Sequence, residues 1–541
     1  MKNTAWRLSA IVLAGLLLST TARANIYATD VKLNGARNPV TGVPPVTNTI
    51  TYILNEPATL GTTINISSGG TLFRTFSLGA GTNGTWLGSN TVVWDNNDNT
   101  SNQVPTGNYV IAVTPSSSGY TNWTQISHDT SPGNFVLAPR GLAVDDNSNS
   151  IYYGRIFIGN AAGRSITPLP APTPGSNDTI LKLNADSSFA DEGPYGDGGY
   201  SIYDDGSADL PEKLRVGDDD RLYMNDFSSL GQIVAFNLTL TTNQTVLAPG
   251  NYSANPYSYL LGYGWAGMDI TGAGTSDGLV WLGDGDTNGA GIWYWHLTNG
   301  IADPNDSTGT VAVPFGGKLS DAVTGGLMVD TNSDVFIGQY LTDPGDTNAD
   351  CMVFLNTNAF GWSEAASLGV SDTSIDSRQK PKYVACALNG GPTTNGVQVL
   401  NALTGATVTN LDSTNQYFVT AWDNVGNLYA ATQSPLHLGG LLHIFSPPDG
   451  VNQATTLALV HVEPVIESIT DNRSSGSVTI EFLASRSDAT TNFALVSGPV
   501  VSGPFQAVPS TFTALTNGLF TATTPTNGVA EFYQIERLPI Q

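Results

Sequence analysis

The chain has 541 residues, too many for one ordinary domain. A formal charge of −25 repels phosphate backbones and anionic lipid surfaces, which argues against a nucleic-acid partner and leaves cations, neutral glycans and proteins. Gly (59) and Pro (30) are plentiful, only 12% of residues are charged, and no helical periodicity follows the N-terminal segment, so the composition predicts an all-β protein of many short strands and turns.

Residues 1–24 read as a secretory signal. Lys2 and Arg7 form the positive start, Ala10 to Leu18 the short apolar run, and Ala22-Arg-Ala24 the small-residue cleavage site. The run is too short to span a bilayer. The chain is expected to be exported to the periplasm, the cell surface or the medium. With no Cys after the cleavage site and no apolar tail before Gln541, no membrane insertion is expected once the signal is removed.

Residues 25–120 carry strands at Thr49–Leu54, Thr63–Ile66, Leu72–Phe76, Thr91–Asp95 and Asn108–Val113, with Ser67-Ser-Gly-Gly70 as a hairpin turn. Their spacing predicts a β-sandwich. The strand ending at Asn55-Glu-Pro-Ala58, the Gly-x-Leu-x-Arg-Thr turn and strand, Trp94-Asp95 and the Val104-Pro-x-Gly107-x-Tyr109 strand start resemble the Ig-like domain of flagellar hook-capping proteins (the FlgD type), which is found in many secreted bacterial proteins. The resemblance implies a spacer, adhesion or assembly module and transfers no catalytic residues.

Residues 121–462 repeat a pattern of strand, acidic turn and strand, followed by a further strand that often opens on Gly. Copies begin near Pro139, Pro211, Gly267 and Gly326, a weaker one near Lys382, and a last one near Phe418. At about 50 residues each, they predict the blades of a β-propeller, about six in number, with five or seven left open. The stretches GLAVDDNSNSIYYG and AWDNVGNLYAAT resemble blades of NHL-type six-bladed propellers, a resemblance that implies a fold and no ligand. Residues 463–541 alternate at Ser477–Phe482 and end in a Phe-Tyr-Gln-Ile strand, which predicts a fibronectin-like β-sandwich.

Four stretches have the spacing by which alternate oxygens can converge on Ca²⁺: Asp145/Asn147/Asn149, Asp284/Asp286/Asn288, Asp330/Asn332/Asp334 and Asp346/Asn348/Asp350. Asp284–Gly289 opens like an EF-hand loop, but the twelfth position is Trp295 where a bidentate Glu belongs. Asp and Asn also favour turns through their own backbone hydrogen bonds, so metal-free turns are the competing reading. Asp145, Asp218, Asp330 and Asp423 sit at similar places in their repeats and are candidates for one mouth of a central channel. Trp281, Trp293 and Trp295 are candidates for an aromatic binding face, against core packing; alternation sets Trp293 and Trp295 on one face and Tyr294 on the other. Cys351 and Cys386 either pair as a disulfide or stay as buried thiols. The histidines lack zinc spacing, and no Gly-x-Ser-x-Gly elbow occurs. These features favour an exported, non-enzymatic binding or scaffold protein with a protein or glycan partner. The alternative is a propeller hydrolase of the lactonase kind that uses a divalent cation, with Ca²⁺ as its cofactor.

Overall fold

The computed structural model describes residues 25–42, 47–136, 138–160, 179–190, 211–226, 232–247, 267–284, 291–302, 309–314, 319, 324–339, 350–356, 359–365, 370–376, 382–389, 395–433, 439–448, 453–472, 474–526 and 532–538. The described chain is all-β, apart from short 3-10 turns at Pro132–Asn134 and Thr490–Asn492.

Near the N-terminus, two sheets enclose one core. Ala28–Leu33, Asn48–Leu54 and Gly88–Trp94 form the first sheet. The second runs Val40–Gly42, Thr456–Glu463, Gly107–Ser116, Gly61–Ser68, Thr71–Leu78. Alternate residues point inward, so Ile50, Tyr52 and Trp94 from one sheet meet Ile64, Ile66, Ile111 and Val113 from the other. Thr456–Glu463 pairs antiparallel with Gly107–Ser116 and contributes Val460 and Val462 to this core. The repeat region as read from the sequence ends, at residue 462, inside this strand. The strand at its end completes the N-terminal unit, and the whole repeat region is inserted between two hydrogen-bonded neighbours.

Six further sheets follow. Each opens with an innermost strand: Pro139–Val144, Pro211–Val216, Met268–Thr271, Thr324–Val329, Val370–Ile375 and Tyr417–Trp422. Each opening strand touches the next, and the sixth touches the first, so the sheets stand in cyclic order. Both faces of every sheet are covered. In the fifth, Val384, Cys386 and Leu388 pack on the fourth sheet, while Ala385 and Ala387 pack on the sixth. The same division repeats between all neighbours, including the sixth and first, where Val419 and Ala421 meet Leu142 and Val144. This burial on two faces explains the apolar runs in the repeats. The last sheet borrows strands from the start of the region. Thr124–Gln125 and Phe135–Val136 both pair with Gly440–Ser446, tying the beginning of the array to its end.

The C-terminal residues form sheets of four and three strands around Ile480, Phe482, Phe493, Leu495 and Phe520. Asp488 joins this unit to the N-terminal one. Its Oδ2 accepts from the Thr106 N–H and hydroxyl at 3.1 and 2.8 Å, and its Oδ1 lies 3.2 Å from Arg537.

Candidate functional site

The opening strands run out of apolar side chains together at one end of the array. Val144, Val216, Val329, Ile375 and Trp422 close five of them, with acidic turns following, and the third ends at Thr271 before Gly272. There the six sheets surround a cavity of about 580 Å³, to which every sheet contributes lining residues. Its wall is apolar and aromatic, from Val144, Val216, Ile270, Ile375, Trp281 and Trp422, and carboxylates stand among these at Asp146, Asp218, Asp269, Asp330 and Asp376. Among the described residues, Arg215 is the single basic side chain in the lining.

Deeper along the same strands, charged side chains cross the middle of the array. Lys213 donates to the Ser371 carbonyl at 3.1 Å and lies 3.5 Å from Asp372. Arg215 stands 3.6 Å from Asp269 and 3.9 Å from Asp372, and its guanidinium donates to the Leu327 carbonyl at 3.3 Å. Asp372 accepts from Thr420 N–H at 2.9 Å and Asp269 from Val329 N–H at 2.7 Å, so each carboxylate also fixes the neighbouring sheet. All four residues are buried. Burial pushes Asp269 up to about 6, against the pull of Arg215 and two backbone N–H groups. The cavity therefore has a floor of cross-sheet ion pairs, and sequence reading missed Arg215, Asp269, Asp376 and Trp422. The available signal was the charge in the otherwise apolar opening strands, at Lys213, Arg215 and Asp269.

The channel-mouth candidates divide. Asp218 and Asp330 line the cavity. Asp145 and Asp423 do not, and both are fully buried. Asp145 is pushed up to about 7 by burial and by Asp220 and Asp146. Asp423 accepts from the N–H groups of Val425, Gly426 and Asn427, from the Asn427 amide and from the Tyr429 hydroxyl. The structural repeat explains the division. Asp145, Gly217, Asp330, Asp376 and Asp423 each send the backbone N–H to the carbonyl that starts the next strand, so Asp218 lies one residue beyond the matching position and Asp376 belongs with the others.

The Asp330/Asn332/Asp334 turn uses its oxygens internally. Asp330 accepts from the N–H groups of Asn332 and Asp334 at 2.8 Å and from the Asn332 amide at 3.1 Å, and Asp334 accepts from Asn356 N–H at 2.7 Å. Asp145 likewise accepts from Asn147 N–H, and Asn147 from Asn149 N–H. Of the other two loops, Asp284 and Asp350 are strand ends whose side chains lie outside the described set, as do residues Asp286, Asn288, Asp346 and Asn348 altogether. Among the described residues, no group of three or more His, Cys, Asp or Glu side chains is disposed to hold a metal ion.

Trp281 reaches the cavity wall, with its indole N–H donated to the Thr271 hydroxyl at 2.9 Å and its ring 4.9 Å from that of Tyr294. Trp295 is buried between the second and third sheets with Trp293 packed beside it, so these two belong to the core. Tyr294 faces the fourth sheet, as alternation requires. Cys351 and Cys386 form no disulfide and lie as thiols in the same buried layer between the fourth and fifth sheets, the second of the two states expected for them. The arrangement can enclose a small organic group or a protruding side chain between apolar walls, under an acidic rim and above a charged floor. Comparison with family models and with curated proteins finds no match in either.

Proposed function

We propose that the protein is an exported, non-enzymatic bacterial binding or scaffold protein. In this reading the cyclic array is an NHL-like, six-bladed β-propeller. The N-terminal unit is a FlgD-type Ig-like sandwich, and the C-terminal unit is a fibronectin-like sandwich. The propeller presents the interaction surface in cell-surface adhesion or assembly, and the sandwiches space and dock it. The partner is a protein or a glycan, engaged without nucleic acid and without membrane insertion. The observation that carries the reading is the cavity of about 580 Å³ lined from all six sheets and floored by ion pairs, a concave site built by the fold as a whole. The turn oxygens of Asp330 support it too, because they serve their own backbone.

The test uses the chain from residue 25 to 541. It is applied to glycan and protein-partner arrays, and its thermal melting is followed with calcium and with a chelator. The reading expects a ligand whose capture is lost in Trp281→Ala and Asp376→Ala, and a Tm unmoved by the chelator. A Tm that falls on chelation, together with turnover of lactones or phosphoesters, would replace it with the cation-dependent hydrolase.

A further inference from the structure

The cavity of about 580 Å³ among the six sheets is strongly biased in charge. Among the described residues its lining holds five carboxylates, of Asp146, Asp218, Asp269, Asp330 and Asp376, against the one guanidinium of Arg215. Arg215 is already engaged. Its Nε stands 3.6 Å from Asp269, and its Nη2 stands 3.9 Å from Asp372 and donates to the Leu327 carbonyl at 3.3 Å. Its Nη1 donates to the Leu214 carbonyl at 2.9 Å. An anion entering the cavity would meet a guanidinium already matched by two carboxylates, and further carboxylates around the rim.

The rim carboxylates are spread around the mouth. Asp146, Asp218, Asp330 and Asp376 follow the opening strands of the first, second, fourth and fifth sheets. Among the described residues no three acidic side chains converge as a metal ion requires. Asp330 gives one oxygen to the N–H groups of Asn332 and Asp334, which leaves its charge in place but occupies its lone pairs. A field distributed in this way serves a broad cation better than a compact one. The walls suit an apolar stem behind such a cation. Trp281 gives its indole N–H to the Thr271 hydroxyl at 2.9 Å, and Trp422 gives its own to the Ser374 carbonyl at 3.3 Å. Both rings therefore offer the cavity only carbon and π-electron surface, which packs against methylene groups and attracts positive charge.

Resting on the reading of the cavity as the binding site, we propose that it receives an organic cation: an ammonium or guanidinium group on an apolar stem, carried by a free alkylamine or by a lysine or arginine side chain of a protein partner.

Three probes share one six-carbon body and differ in the head: hexylamine, hexanol and hexanoate. Each is titrated calorimetrically into the 25–541 chain at neutral pH and low salt. Hexylamine is expected to bind at least about tenfold more tightly than hexanol, with hexanoate weakest, and to lose this advantage as salt screens the rim. The blocked tripeptide acetyl-Gly-Lys-Gly-amide separates the two sources. Binding as tight as that of hexylamine assigns the site to a partner's side chain, and weaker binding assigns it to a free amine. Replacing Asp146 and Asp218 together by Asn keeps their shapes and removes two charges at half-buried and exposed positions, with thermal melting to check the fold. That variant should close most of the gap between hexylamine and hexanol. Hexanol or hexanoate binding as well as hexylamine, or a variant with the gap intact, would overturn the cation and leave the cavity as a binding site. Failure of all three probes would overturn it too. The arrays then decide the wider reading: a ligand without a basic group that depends on Trp281 keeps it, and no ligand at all removes it.

Discussion

Lys213 and Asp372 occupy matching positions on the second and fifth sheets, which face each other across the array, and the ammonium stands 3.5 Å from the carboxylate. Each is the first residue paired after a register shift in its opening strand. The matching residues of the first and fourth sheets are Gly141 and Gly326. A Cβ at Gly326 would come within 2.0 Å of Thr373 N, and one at Gly141 within 2.7 Å of the Leu214 side chain. The glycines let neighbouring strands close up, and the charged pair fills the middle. Replacing Asp372 by Ala leaves Lys213 and Arg215 buried without their shared carboxylate, at an expected cost of about 3–5 kcal/mol in denaturant unfolding. Adding Lys213→Met to that variant should recover part of the loss. A double-mutant cycle that shows simple additivity would mean the pair is not coupled.

His443 ties the strands that close the sixth sheet. Its Nδ1 meets the Tyr417 hydroxyl, which also donates to Asp412 at 2.8 Å, and its Nε2 lies 3.4 Å from Asp129 in the segment between the two borrowed strands. Burial lowers the imidazole pKa, while Asp129 and Asp412 pull the other way. A base with weakened folded proton affinity contributes stability that is full above its ordinary value and declines on acidification. Buried Asp145, Asp269 and Asp423, raised by burial, act in the opposite direction, so the effect is read as a difference: below about pH 6.5 the wild type should lose stability to urea relative to His443→Gln, by no more than about 1.4 kcal/mol per pH unit. Parallel pH profiles for the two proteins would remove His443 from the account.

Gly154 turns at φ +79° where the first sheet abuts the N-terminal unit. A Cβ there would lie 2.5 Å from the Thr29 methyl and 2.7 Å from the Tyr27 ring. Gly154→Ala combines a left-handed backbone cost with overpacking, together about 2–4 kcal/mol. Gly70→Ala, at φ +80° with nothing within 4 Å, is the control, and it should show only the backbone part. Similar losses in calorimetry for both would remove the contact from the account.

The all-β character, the acidic turns and most strands were legible because sheets buried on both faces spell long apolar runs between Gly and Asp. The fifth sheet was not. Its opening strand, Val370-Ser-Asp-Thr-Ser-Ile375, is wholly buried yet mostly polar, so the unit was read from Lys382 onward. The missing information is three-dimensional: Ser371 accepts from Lys213, Asp372 faces the same ammonium, and Ser374 bonds Thr420. A polar strand can be core only when its partners arrive from other sheets, and periodicity cannot report that. The same limit hid Asp269 and Arg215. Thr456–Glu463 lay beyond the last strand read in the repeats, and its own alternation does not say that its partner is Gly107–Ser116.

That return has a mechanical consequence. Because Gly107–Ser116 and Thr456–Glu463 are zipped side by side along their length, tension carried along the chain passes from one to the other through their shared ladder. The six-sheet array hangs from this line as a side loop whose two ends are clamped together. A pull that strains the N-terminal and C-terminal units leaves the array unloaded until the ladder shears, so the cavity can keep its shape on a stretched molecule.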